Sequence, residues 1–180
     1  MTEQRRSIDD RAHRQWLDDE TQRLLDFGRH VVRDGGGAFS LDDHGEPRRD
    51  QPVETWITAR MVHVYGLGKL LGRPDAEAIA TGSLSGLLGL LADEEHGGWH
   101  TAVDAAGAPV SDEKSCYAHA FVLLASSTAV AAGLPRAEAL FERAQDVLLQ
   151  RFWDDDAGMC VDLRSNPANC GGRGPGSPFA

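Results

Sequence analysis

Apolar residues recur at helical spacing through most of this chain. Between Ser7 and Val32, Trp16, Leu24, Phe27, Val31 and Val32 stand among many charges. That amphipathic pattern predicts a helix, with Ser7 as N-cap and Asp9 and Asp10 at the positive end of its dipole. Asp34-Gly35-Gly36-Gly37 is expected to end it, Ala38–Leu41 reads as a short strand, and Asp43-His44-Gly45 as a turn. From Glu54 to Leu71, apolar residues including Trp56, Ile57, Met61, Tyr65 and Leu67 lie nearly all round, predicting a helix buried on most faces. Gly72-Arg73-Pro74 stops it, and Asp75 is placed to cap a further helix running to about Ala92. Gly82, Gly86 and Gly89 imply that this helix lies close against a partner.

The stretch Asp93–Ala125 combines a hairpin, carried by Gly97-Gly98 and a Gly107-centred turn, with an apolar helix from about Asp112 to Ala132. Gly133-Leu134-Pro135 closes that helix, Arg136–Phe152 predicts the next, and Asp154–Asp162 begins a third hairpin. These segments overlay at a period of about 61 residues. Gly36 falls on Gly97 and Gly158, Trp56 on Tyr117, Asp93 on Asp154, and Gly72-Arg73-Pro74 on Gly133-Leu134-Pro135. Each unit is a hairpin, a buried helix, a Gly-x-Pro turn and a more polar helix.

Helical-hairpin units cannot bury their apolar sides alone, so they stack on neighbours. A more apolar first helix and a more polar second one predict inner and outer layers of an all-α toroid, with the hairpin loops at one mouth. About five helices make some two and a half units, where a six-unit ring would need roughly 370 residues. The expected organisation is therefore an incomplete (α/α)6 barrel over 1–162, followed by an irregular segment over 163–180. That segment, LRSNPANCGGRGPGSPFA, is rich in Gly, Pro, Asn and Ser. It reads either as a disordered tail or, as favoured here, as the product of a shifted frame in a truncated protein, since the repeat breaks inside a hairpin.

Composition narrows the partners. The 180 residues are 41% hydrophobic and 26% charged, as in ordinary globular domains. A net charge of −10 disfavours nucleic acid and anionic membranes as partners. No apolar run approaches the roughly 20 residues of a membrane span, and MTEQRRSIDD lacks a signal-peptide apolar region, so a cytoplasmic location is expected. Cys116, Cys160 and Cys170 fit neither a disulfide framework nor a zinc site and are expected to be free thiols. His96 and His100 flank the Gly97-Gly98 turn and read as solvated loop residues; with Asp93, Glu94 and Glu95 they match no recognised ligand spacing, and no metal or cofactor is expected.

ETWITARMVHVYGLGKLLGRPD, DEEHGGWHTAVD and KSCYAHAFVLLA together resemble the N-acylglucosamine 2-epimerase superfamily over about residues 14–162, closest to its mannose and sulfoquinovose isomerase branch. The resemblance implies an (α/α)6 barrel and an aldose–ketose isomerisation or 2-epimerisation of a sugar through an enediolate, by proton transfer without a cofactor. It assigns Arg60 and Tyr117 to substrate contact. A guanidinium fork can hold adjacent sugar oxygens, and a tyrosine offers a ring face and a hydroxyl. Their structural alternatives are an arginine paired with Glu54 or an acidic loop residue, and a core aromatic.

Trp56, His119 and His63 are weaker candidates for the same site. Trp56 is more often core. His119 lies about 200° from Tyr117 on a helix, which favours a packing role, and His63 lies one turn from Arg60. The family's two catalytic histidines and its Asn-x-x-x-His motif belong to later helices, and no histidine follows His119. No catalytic residue is therefore assigned in this chain, which is expected to be inactive alone. The rival reading is a small non-catalytic α/α binding or assembly module. An (α/α)6 glycoside hydrolase would need paired carboxylates at the mouth, for which Asp93, Glu94 and Glu95 are poorly placed.

Overall fold

A computed structural model of the chain describes residues 10–165. Five α-helices carry the fold: α1 (Arg11–Phe27), α2 (Thr55–Leu70), α3 (Ala76–Leu88), α4 (Cys116–Ala131) and α5 (Ala137–Val147). Short strands lie in the connections: β1 (Val53–Glu54), β2 (Ala102–Val103), β3 (Glu113–Ser115), β4 (Trp153–Asp154), β5 (Met159–Cys160) and β6 (Leu163–Ser165). The inner helices α2 and α4 pack on each other, and each packs on the outer helix that follows it. This is the arc of a two-layer α/α toroid predicted from the periodicity.

The repeat holds in detail. Thr55 and Cys116, Leu70 and Ala131, and Ala76 and Ala137 are each 61 residues apart and begin or end equivalent helices. Backbone conformation repeats with them: Gly72 and Gly133 have φ of 71° and 65°, and Asp75 and Arg136 of 60° and 62°. Asp75 thus starts α3 from a left-handed conformation, with no side-chain hydrogen bond into the helix, and is not the cap expected. Strand pairing also repeats. β1 pairs with β2 through Val53 and Val103, and β3 pairs with β6 through Lys114 and Arg164.

Each connection therefore bonds to the next one around the ring. β2 pairs with β1 on one edge and also lies in the hairpin expected over Asp93–Val110, where Val103 bridges to Pro109 and the Ala102 carbonyl accepts the Val110 N–H; a further single bridge joins Ala92 to Trp99. Ala38–Leu41 likewise carries two isolated bridges, not a strand. The third hairpin, β4 with β5, forms as expected, and regular structure runs through Ser165, past the boundary expected at 162. The rest of the segment expected to be irregular lies outside the described residues.

Helix bounds differ from expectation where side chains compete for the backbone. α1 starts after Asp10, whose carboxylate accepts the Ala12 N–H; Ser7 lies outside the described residues. It stops at Gly28 and not near Val32, because Tyr65 fills the space beyond: its hydroxyl donates to the Leu25 carbonyl, and a Cβ on Gly28 would lie 2.6 Å from that oxygen. α4 starts at Cys116, with Ser115 accepting the Ala118 N–H, because residues 113–115 are held in β3. α5 ends at Val147 in a π-helical turn, Leu148–Phe152, whose extra residue swings Phe152 into full burial and leaves Leu149 at the surface. Gly86 fits the close approach read from α3, and the partner is the Gly36-Gly37 loop. α2 is buried or half-buried on most faces; Arg60, Val64 and Leu67, with Leu71 just past its end, leave one exposed stripe along it.

Candidate functional site

All the long connections meet the inner helices at their N-terminal ends, and the first turns of α2 and α4 meet there. Trp56 and Tyr117, equivalent in the repeat, face each other with ring centroids 6.1 Å apart and planes tilted by 58°. Phe121, one turn beyond Tyr117, stacks edge-on to it at 4.9 Å. The Arg60 guanidinium lies between the rings, 5.2 Å from the Trp56 centroid and 5.0 Å from that of Phe121. Cation–π attraction supports it there, and among the described residues no carboxylate pairs with it. Glu54, the partner considered for Arg60, accepts the Trp56 indole N–H at 3.0 Å instead. Arg60 and Tyr117 are both exposed. The cluster is a fixed cation in an aromatic frame, with a phenol beside it and open to solvent on one side. Such a surface can take a polyhydroxylated ring by stacking, with the guanidinium donating to its oxygens. Phe121 went unread in the sequence, although its i+4 spacing from Tyr117 and its repeat alignment with Arg60 were available signals.

The two histidines stand elsewhere. His63 Nδ1 lies 2.7 Å from Thr128 Oγ1; that hydroxyl donates to the Leu124 carbonyl, so His63 is the donor, and the pair ties α2 to α4. His119 is 1% exposed and uses both nitrogens. Its Nε2 accepts the Trp99 backbone N–H at 3.1 Å, and Nδ1 faces the Ser115 carbonyl at 2.7 Å. In the preceding unit Thr58 takes the same position and accepts the Ala38 N–H at 3.1 Å. Burial, with help from the Lys114 and Arg151 charges, pushes the His119 imidazole down to about 4 against the pull of the Ser115 carbonyl. His119 is a packing residue with both nitrogens engaged, the role its place about 200° from Tyr117 favours over the sugar site.

His96 and His100 are half-buried, not the solvated loop residues expected, and Asp93 near them is buried. Asp93 is 3% exposed, and its carboxylate accepts from Lys114, itself 1% exposed, at 2.5 Å and from the backbone N–H groups of Glu95 and His96. Burial opposes its charge, but Lys114 and the His96 N–H hold it well below the usual carboxylate range. His100, 3.9 Å away, is pushed down by burial and by Lys114. Among the described residues no group of His, Cys, Asp and Glu is arranged to hold a metal ion, and no helix is long and apolar enough to cross a membrane.

The stacked helical hairpins, with a polar–aromatic cluster at the mouth, define an arc of an α/α toroid. The family described as N-acylglucosamine 2-epimerase matches residues 36–175, and the chain belongs to it. It is 46% identical over 149 residues to a D-mannose isomerase of Thermobifida fusca, covering 83% of this chain and 37% of that protein. A D-mannose isomerase of Pseudomonas cannabina pv. alisalensis is 40% identical over 147 residues, covering 82% and 35%. The chain thus spans little more than a third of the length of these relatives. A crystal structure of D-mannose isomerase superposes with a TM-score of 0.76 at 22% identity, over 84% of this chain and 40% of that one. Cellobiose 2-epimerase from Spirochaeta thermophila DSM 6192 gives 0.75 at 22% identity, over 89% and 42%. At such identities these likenesses speak to the toroid alone.

Proposed function

We propose that this chain provides the substrate-holding wall of a sugar isomerase or 2-epimerase of the mannose isomerase kind. The observation that carries the reading is Arg60, paired with no carboxylate among the described residues and held near the Trp56 and Phe121 rings beside an exposed Tyr117. Isomerisation removes the proton on the carbon beside the sugar carbonyl and returns it to the neighbouring carbon or the opposite face; negative charge builds on oxygen in between. A guanidinium in an aromatic frame is suited to that enediolate, because its charge is fixed and its fork spans adjacent oxygens. The acid–base pair needs groups with titration near neutrality on both sides of the sugar. His63 and His119 are engaged in packing and cannot serve, so the chain alone binds sugar without turning it over.

The test is a D-mannose titration followed by heteronuclear NMR, with the C2 proton of the sugar watched in deuterated water. Shifts of the Trp56 indole and Arg60 Nε–H signals, without C2 exchange, are expected. Shifts confined to other parts of the molecule, or exchange at C2, would overturn the reading.

A further inference from the structure

Two of the three cysteines meet where the third connection reaches α4. Cys116 opens that helix, and its N–H donates to the Asp162 carbonyl at 2.6 Å; Ser115, just before it, pairs with Leu163. Cys160 ends β5, two residues before Asp162, and is exposed. The repeat shows what this geometry does to a side chain at the first helical position. Thr55, the counterpart of Cys116, donates its N–H to Thr101, the counterpart of Asp162, and its hydroxyl reaches the His100 carbonyl at 2.6 Å. The residue before His100 is Trp99, the counterpart of Cys160. A side chain at position 116 is therefore aimed at the backbone of residue 161, next to Cys160, and the Cys160 thiol lies close enough to raise that of Cys116.

We propose that Cys116 and Cys160 form a thiol-oxidation site, closing to a disulfide that fastens the β4–β5 hairpin to the first turn of α4. The oxidant is a small-molecule disulfide such as oxidised glutathione. The exposed Cys160 thiolate attacks one sulfur of the oxidant, whose S–S bond breaks and releases one thiolate. Cys116 then loses its proton to solvent and attacks Cys160 Sγ, expelling the second oxidant thiolate. Two protein thiols are oxidised and one small disulfide is reduced. Burial, the largest cause, pushes the Cys116 thiol up, so the exposed thiol opens the reaction and closure by Cys116 is the slow, base-favoured step. The bond itself stands apart from the sugar-site reading. Its consequence, a restraint one residue from Tyr117, rests on that reading.

The experiment uses the 180-residue chain with Cys170→Ser, treated with graded ratios of oxidised to reduced glutathione, acid-quenched, alkylated and mapped by mass spectrometry. The expected product is a Cys116–Cys160 peptide pair from monomeric chain, with a glutathione adduct of Cys160 as its transient precursor. Closure from the isolated adduct speeds up by about tenfold per pH unit between pH 7 and 9. Adding Cys116→Ser arrests the reaction at the Cys160 adduct. Hydrogen exchange in the first turn of α4 slows in the oxidised chain. Stable adducts on both cysteines without a bridge, bridges only between chains, or unchanged exchange in α4 would overturn the proposal. D-mannose binding measured on the reduced chain fails separately if only the sugar site is misassigned.

Discussion

Lowering the pH should destabilise this fold by an amount traceable to one side chain. His119 is buried, neutral and held at about 4, against an ordinary value of 6.5. Its neutrality is structural: Nε2 has to present a lone pair to the Trp99 N–H. The unfolded chain binds a proton near pH 6.5 that the folded chain refuses until about pH 4. The stability due to this group is therefore complete above the unfolded value and drains as pH falls through the window between the two. At about 1.4 kcal/mol per unit, the loss is about 2 kcal/mol by pH 5 and about 3 kcal/mol once the window is crossed. Urea unfolding at pH 7.5 and pH 5 measures it, with His119→Gln as control, since a glutamine oxygen can accept the same N–H and does not titrate. Wild type should lose about 2 kcal/mol more than the variant over this range. Equal losses, or an imidazole that titrates near 6.5 by NMR, would refute the reasoning.

Lys114→Met should cost about 3–5 kcal/mol in urea unfolding, because it leaves the Asp93 charge buried beside a methionine. Adding Asp93→Asn, which keeps an oxygen for the Glu95 and His96 N–H groups, should recover at least half of that; a double variant as unstable as the single would contradict it. Gly86→Ala should destabilise by about 1–3 kcal/mol despite alanine's better helix propensity, since its Cβ overlaps the Gly37 backbone. Gly89→Ala, whose Cβ meets only the Ser85 carbonyl at 3.5 Å, should be close to neutral, and thermal melts of the pair decide between them.

Much of the architecture could be read from the sequence because its landmarks are local. Gly-x-Pro turns and left-handed positions at fixed spacing need only the preferences of single residues, and they placed α2 and α4 to within a residue or a few at each end. The strand pairing was not legible. β1, β2, β3 and β6 are two or three residues long, and what pairs them is the stacking of successive units, which no short window contains. The role of His119 was hidden for a related reason. It does the work of Thr58, and two residues of such different chemistry do not align as equivalents until the N–H each accepts is visible. Asp93 and Lys114 lie among charges in the sequence and 21 residues apart, which hid a buried pair. At the site, the open side of Arg60 and its flanking rings emerged only when α2 and α4 were brought together, since Phe121 and Arg60 lie on different helices.

If Arg60, Trp56, Tyr117 and Phe121 hold a sugar, the dissociation constant for D-mannose depends on them. It is measured by titration on the wild-type chain, Arg60→Ala and Tyr117→Ala, each with its fold verified by thermal melting. Saturable binding that weakens about tenfold or more in both variants, a loss of about 1.4 kcal/mol, is the predicted result. Equal affinity in all three chains would contradict the account.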